Sequence, residues 1–216
     1  MEPTMEILNN IAKSLMAGDD TKIVEEVQQA IDEGIPTTEI LDDGLIAGMN
    51  VVGVKFRNHD MFLPEVLLSA RAMTAGVALL KPLLIAEDVP SRGKVVLGSV
   101  QGDLHDIGKN LVGIMLEGAG FEVVDLGIDV SPEKFIEAAI TEDASVIGLS
   151  SLLTTTMDIM KGVMKLVGER GLSEKVKVIV GGAPLSEEFA KSIGAQGYAY
   201  DAANAVEKVI SLMGED

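Results

Sequence analysis

The sequence predicts an α/β chain in two parts: a helical bundle, then a doubly wound parallel sheet. Three observations predict it. Apolar residues recur at helical spacing from residue 5 to about residue 86. Residues 87–93, Glu-Asp-Val-Pro-Ser-Arg-Gly, break that period and read as a linker, placing residues 1–88 in one domain and 89–216 in the next. Beyond them, short apolar runs alternate with helical stretches, the pattern of repeated βα units.

In the first part, Ile7, Ile11 and Leu15 share one helical face before Gly18-Asp19-Asp20 interrupts it. Ile23, Val27, Ala30 and Ile31 form a second stripe, closed by Gly34 as a C-terminal cap. Pro36-Thr37-Thr38 opens a third segment with Ile40, Leu41, Leu45, Met49 and Val52. Pro64 sits in the first turn of a fourth, through Val66, Leu67, Ala70, Met73, Val77 and Leu80. Four amphipathic helices with short connections predict a four-helix bundle.

In the second part, the expected strands are 94–100, 121–126, 145–150, 176–181 and 197–199. The expected helices are 108–118, 132–141, 155–169, 185–193 and 202–213. Ser131-Pro132-Glu133 is a helix start with a capping hydroxyl and proline at the first helical position. Five βα units imply a parallel sheet covered on both faces.

Composition narrows the function classes. The chain is 47% hydrophobic but only 3% aromatic, and 34 acidic against 17 basic residues give a net charge of −17. Such a field disfavours nucleic acid and anionic membrane surfaces as partners. The absence of cysteine excludes disulfides, iron–sulfur clusters and cysteine-ligated zinc. The N-terminus lacks a signal-peptide pattern, and no unbroken apolar run approaches the ~20 residues of a bilayer span. A cytoplasmic location is expected.

In doubly wound sheets, ligands bind beyond the carboxyl ends of the strands, where strand order reverses. For a 2-1-3-4-5 order that place lies between the loops after the first and third strands. The first loop carries Gly102-Asp103-Leu104-His105-Asp106-Ile107-Gly108, with one of only two histidines in the chain. A histidine so placed can bind a metal through one ring nitrogen while Asp103 holds the other. The third loop carries Ser150-Ser151-Leu152-Leu153-Thr154-Thr155-Thr156, and the fourth strand ends in Gly181-Gly182. Singly, each has an ordinary explanation: a solvated histidine, a turn, a helix cap. Their shared position at the switch point selects a ligand site.

Asp103-Leu104-His105-Asp106-Ile107-Gly108, Ser150-Ser151-Leu152 and Gly181-Gly182, in that order, resemble the signature of cobalamin-binding domains of flavodoxin-like fold. The resemblance implies a cobalamin whose dimethylbenzimidazole base is detached from cobalt, with the nucleotide tail buried and a histidine as lower ligand. Gly48-Met49-Asn50-Val51-Val52-Gly53, Phe62-Leu63-Pro64-Glu65-Val66 and Ser69-Ala70-Arg71-Ala72-Met73 are similar to the helical cap of methyl-carrying corrinoid proteins. These include the subunits serving methanol, methylamine and methoxyaromatic methyltransferases and the cobalamin-binding region of methionine synthase.

By that resemblance His105 coordinates cobalt, Asp103 orients it, and Thr156 stands where the family's relay hydroxyl is usually a serine. Gly102, Leu104, Asp106, Ile107 and Gly108 are expected around the lower corrin face. Ser150, Leu152, Gly181 and Gly182 are expected along the tail, and Thr154 and Ala202 as further contacts. Phe62 is expected either over the upper face or in the bundle core, and His59 in a solvated loop. The implied function is a methyl carrier cycling between cob(I)alamin and methylcobalamin states. Its implied partners are a substrate-specific methyltransferase, a second methyltransferase acting on tetrahydrofolate or a thiol coenzyme, and a reductive activation protein. A cobalamin-dependent regulator or the small subunit of an adenosylcobalamin mutase is the alternative. The former adds a basic DNA-binding module and the latter generally lacks the helical cap.

Overall fold

The structure, a computed structural model, describes residues 3–87 and 92–214. Contacts divide the chain into two compact units, Met1–Ser91 with Gly118–Gly120, and Arg92–Glu117 with Phe121–Asp216. The expected boundary between residues 88 and 89 lies outside the described residues.

The helical unit runs α1 (Pro3–Met16), α2 (Asp20–Asp32), α3 (Thr37–Glu39), a π-helical segment (Ile40–Ile46), α4 (Ala47–Arg57) and α5 (Leu63–Ala86). Helix α1 packs on α2 and α4, and α5 packs on α2 and α4, closing the predicted four-helix bundle. Asp19 caps α2 by accepting the Lys22 N–H at 3.0 Å, and Gly34 follows α2 at φ 74°, as a terminating glycine should. The third predicted segment is not uniform. Its middle winds as a π-helix, which buries Ile40, Leu45 and Ile46 together. The α5 stripe also differs in detail: Val66, Ala70, Met73 and Leu80 are buried, but Leu67 is exposed and Ala72 and Gly76 take buried positions.

Helix α5 is long enough to cross a membrane, with an 18-residue stretch of mean hydropathy 1.4, but as expected no unbroken apolar run fills it: Glu65, Arg71 and Lys81 interrupt it. It packs on α2 and α4.

The second unit alternates β1 (Lys94–Ser99), α6 (Ile107–Gly118), β2 (Glu122–Asp125), α7 (Pro132–Thr141), β3 (Val146–Ser150), α8 (Met157–Glu169), β4 (Lys177–Gly181), α9 (Glu187–Ile193), β5 (Gly197–Ala199) and α10 (Ala202–Met213). The strands form one parallel sheet in the order β2-β1-β3-β4-β5, as predicted. Val96, Ile147, Leu149, Val178 and Val180 pack against Phe135 and Ile136 of α7 and Met160 and Val163 of α8. Gly98 gives Phe135 its place: a Cβ there would lie 2.9 Å from the ring. The chain leaves β1 toward β2 on one side and returns to β3 on the other, which opens the switch point at the carboxyl ends of β1 and β3.

Candidate functional site

The loop from β1 to α6 carries its charge inward. Asp103 has no exposed surface, yet its carboxylate is fully hydrogen-bonded. Oδ1 accepts the His105 backbone N–H at 3.0 Å and meets His105 Nδ1 at 2.8 Å. Oδ2 accepts the backbone N–H groups of Leu152 (2.6 Å) and Leu153 (3.2 Å) and the Thr156 hydroxyl (3.2 Å). Burial by itself raises the carboxyl's pKa, but the His105, Leu152 and Leu153 donors outweigh it and hold the group at about 2. An ionised carboxylate only accepts, so Nδ1 must carry the imidazole proton. That leaves the lone pair on Nε2, in a side chain 52% exposed.

Several neighbours fix this loop that the sequence did not single out. The buried Ser99 hydroxyl donates to the His105 carbonyl at 2.6 Å. Asp129, in the loop after β2, grips the histidine loop twice: Oδ1 accepts the Gly102 N–H at 2.7 Å, and its own N–H donates to the Asp103 carbonyl at 3.1 Å. It does so from a left-handed backbone, φ 55°. Ser151, fully buried, sets its Oγ 2.8 Å from Thr156 Oγ1. Lys109, the residue after Gly108, is buried in an ion pair with Asp125 at the end of β2. A polar side chain in an otherwise apolar strand end (Ser99), and a second serine in Ser150-Ser151, were the available signals.

The Thr156 side chain does not cap the helix it precedes. It occupies the N-cap of α8 but makes no capping bond; its hydroxyl turns to Asp103 and to the Leu153 carbonyl. Its methyl packs close to Gly102, where a Cβ would lie 3.2 Å from Thr156 Cγ2.

The remaining predicted residues distribute as follows. Ser150 ends β3, pairs with Ser99 and accepts the Val100 N–H at 3.0 Å. Gly182 packs closely on the neighbouring loop: at φ 137°, a Cβ would fall 1.8 Å from the Ser151 carbonyl oxygen. Gly108, by contrast, has nothing within 4 Å of a Cβ position. Leu104, Ile107, Leu152 and Thr154 are exposed around the imidazole's loop, and Asp106 is half-buried. Ala202 is buried at the start of α10. Phe62 belongs to the helical unit, 66% exposed before α5, which overturns the bundle-core alternative. The Glu65 carboxylate accepts the Phe62 N–H at 2.8 Å, so the ring is carried at a capped helix start rather than within the packed interior. His59 lies in an exposed turn.

Among the described residues, no three His, Asp or Glu side chains converge to hold a bare metal ion. What the site offers is one oriented imidazole nitrogen, with exposed Leu104, Ile107, Leu152 and Leu153 on the loops that hold it. One imidazole beside apolar side chains could serve a metal that brings most of its ligands with it, as cobalt in a corrinoid does. The fold and site thus define a doubly wound domain whose switch point carries one imidazole oriented by a buried carboxylate. Comparison with known proteins gives that class its family. The family described as B12 binding domain matches residues 93–209, and a second of the same description matches residues 7–81. A corrinoid protein of Desulfitobacterium hafniense is 40% identical over 98% of this chain and 99% of its own length. The dimethylamine corrinoid protein of Methanosarcina barkeri is 46% identical over 96% of this chain and 98% of its own. The crystal structure of the methanol:cobalamin methyltransferase complex from M. barkeri contains a chain that superposes with a TM-score of 0.84. That chain is 33% identical, over 98% of this chain and 81% of its own. The protein belongs to the B12-binding family of corrinoid proteins, and cobalamin is its cofactor.

Proposed function

We propose that this protein carries a methyl group on cobalamin between a substrate-specific methyltransferase and a second methyltransferase acting on tetrahydrofolate or a thiol coenzyme. The observation that carries the reading is the Asp103–His105 pair, with Nδ1 engaged at 2.8 Å and Nε2 free. Bound cobalamin supplies a cobalt centre that is nucleophilic when reduced and can hold and release a methyl group. The protein's own residues supply the rest. His105 Nε2 would hold the cobalt. Asp103 holds the ring in one tautomer, and the donors on Oδ2 fix Asp103. Gly102, Leu104, Asp106, Ile107, Gly108 and Thr154 border the lower face. Ser150, Leu152, Gly181, Gly182 and Ala202 would border the nucleotide tail. Residues 1–88 form the helical domain and residues 89–216 the cobalamin-binding domain.

The methyltransferase complex of the methanol relative supports a methyltransferase partner. The dimethylamine and methanol systems of the relatives supply the first two donors to test. A reductive activation protein and a cytoplasmic location belong to the same reading.

The test is ligation. In the full chain loaded with cobalamin, the Co(II) electron paramagnetic resonance spectrum should show coupling to one protein nitrogen, and His105→Ala should abolish it. Unchanged coupling in His105→Ala overturns the assignment.

A further inference from the structure

The hydroxyls around Asp103 present a proton count that one relay residue does not satisfy. Thr156 Oγ1 lies 3.2 Å from Asp103 Oδ2, 3.0 Å from the Leu153 carbonyl and 2.8 Å from Ser151 Oγ. Ser151 Oγ lies 3.1 Å from the same Leu153 carbonyl and 3.5 Å from Asp103 Oδ2. Both side chains are buried, and each hydroxyl has one proton to give. The 2.8 Å contact between them must contain a proton, because two lone pairs at that distance repel. Whichever hydroxyl accepts that proton has its own to give, either to Asp103 Oδ2 or to the Leu153 carbonyl, so four ordered arrangements exist. The shortest route to the carboxylate runs from Ser151 to Thr156 and from Thr156 to Asp103 Oδ2, because Thr156 lies 3.2 Å from that oxygen and Ser151 3.5 Å. The arrangements that end on the Leu153 carbonyl withdraw the donor from Asp103 without moving a heavy atom.

We infer that Ser151 is a positioning residue that sets the direction of the Thr156 hydroxyl, and through it how strongly Asp103 draws on the His105 Nδ1 proton. The inference rests on the reading of His105 as lower ligand. The backbone supports it: the Ser151 N–H is tied to the Gly181 carbonyl at 3.1 Å, and Gly182 lies against the Ser151 carbonyl, so Oγ is held in register with Thr156. While Asp103 is anionic, the Ser151-to-Thr156-to-Asp103 chain is favoured, because a hydroxyl that accepts a hydrogen bond becomes a better donor, by about 10–30% per bond. Removing Ser151 Oγ weakens the Thr156 donation. Asp103 then leans more on Nδ1–H, and Nε2 becomes the stronger ligand.

The experiment uses the full chain loaded with cobalamin and reads the Co(II)/Co(I) midpoint potential by spectroelectrochemistry at one pH. It compares the wild type with Ser151→Ala, Ser151→Gly, Thr156→Val and both Ser151 changes combined with Thr156→Val. Ser151→Ala and Ser151→Gly should each favour the histidine-ligated Co(II) form by about 2–5-fold, a potential about 20–40 mV more negative. In the Thr156→Val background neither change should move it further, whereas a merely structural effect would persist there. No shift, a shift of opposite sign, or an equal shift in both backgrounds overturns the inference. Failure of the underlying reading is seen separately, as nitrogen coupling that survives His105→Ala.

Discussion

Gly182 lies against the carbonyl of Ser151 so closely that a Cβ at position 182 would sit 1.8 Å from that oxygen. This contact joins the end of β4 to the loop after β3, the loop whose N–H groups hold Asp103. Gly182→Ala therefore attacks twice, through overlap with backbone and through a φ of 137° that L-residues rarely adopt. It should destabilise the protein by about 3 kcal/mol or more and weaken cobalamin binding, measured by urea unfolding and by cofactor titration.

The buried Asp103 makes stability depend on acidity. Its folded pKa of about 2 lies below the ordinary aspartate value of 3.8. Its contribution is therefore complete above about pH 4 and fades as pH falls toward 2. The difference amounts to roughly 2 kcal/mol. The stability gap between wild type and Asp103→Asn, measured without cofactor by urea unfolding, should shrink by that amount between pH 5 and pH 2.

The Lys109–Asp125 pair is asymmetric: the lysine side chain is 1% exposed and the aspartate 46%. Asp125→Ala strands a buried ammonium and should cost about 3 kcal/mol. Lys109→Met leaves a carboxylate that water can solvate, and should cost about 1 kcal/mol or less. Equal losses in thermal or urea denaturation would contradict this account.

In the bundle, a Cβ at Gly48 would lie 2.9 Å from the Ala12 carbonyl oxygen and 3.0 Å from its Cα. Backbone cannot rotate aside, so Gly48→Ala should destabilise by about 1–2 kcal/mol, even though alanine favours the helix by ~1 kcal/mol. Gly168, with nothing within 4 Å of its Cβ position, is the control. Gly168→Ala should stabilise by about 0.5 kcal/mol, seen as a small rise in Tm.

Much of the fold was legible because it is local. Strand and helix limits came within a residue or two of their observed positions, and the switch point followed from element order. The π-helical turn at Ile40–Ile46 was not legible, since its apolar residues fit an ordinary helical stripe almost as well. Leu67 in the α5 stripe and the bundle-core alternative for Phe62 failed for a related reason. Spacing identifies a face, but which edge of that face is covered depends on where the neighbouring helices lie.

The sequence by itself determined the element order, the absence of cysteine, and a histidine in the first βα loop with an aspartate two residues before it. Together these narrowed the candidate chemistry to one imidazole beside a carboxylate. The tertiary structure decided what holds that imidazole. The donors on Asp103 Oδ2 lie 49 to 53 residues away along the chain, and Asp129 reaches Gly102 from 27 residues away. A buried carboxylate must find every hydrogen bond it needs or lose its charge. Those partners are chosen by which strand ends lie side by side, and no local pattern records that.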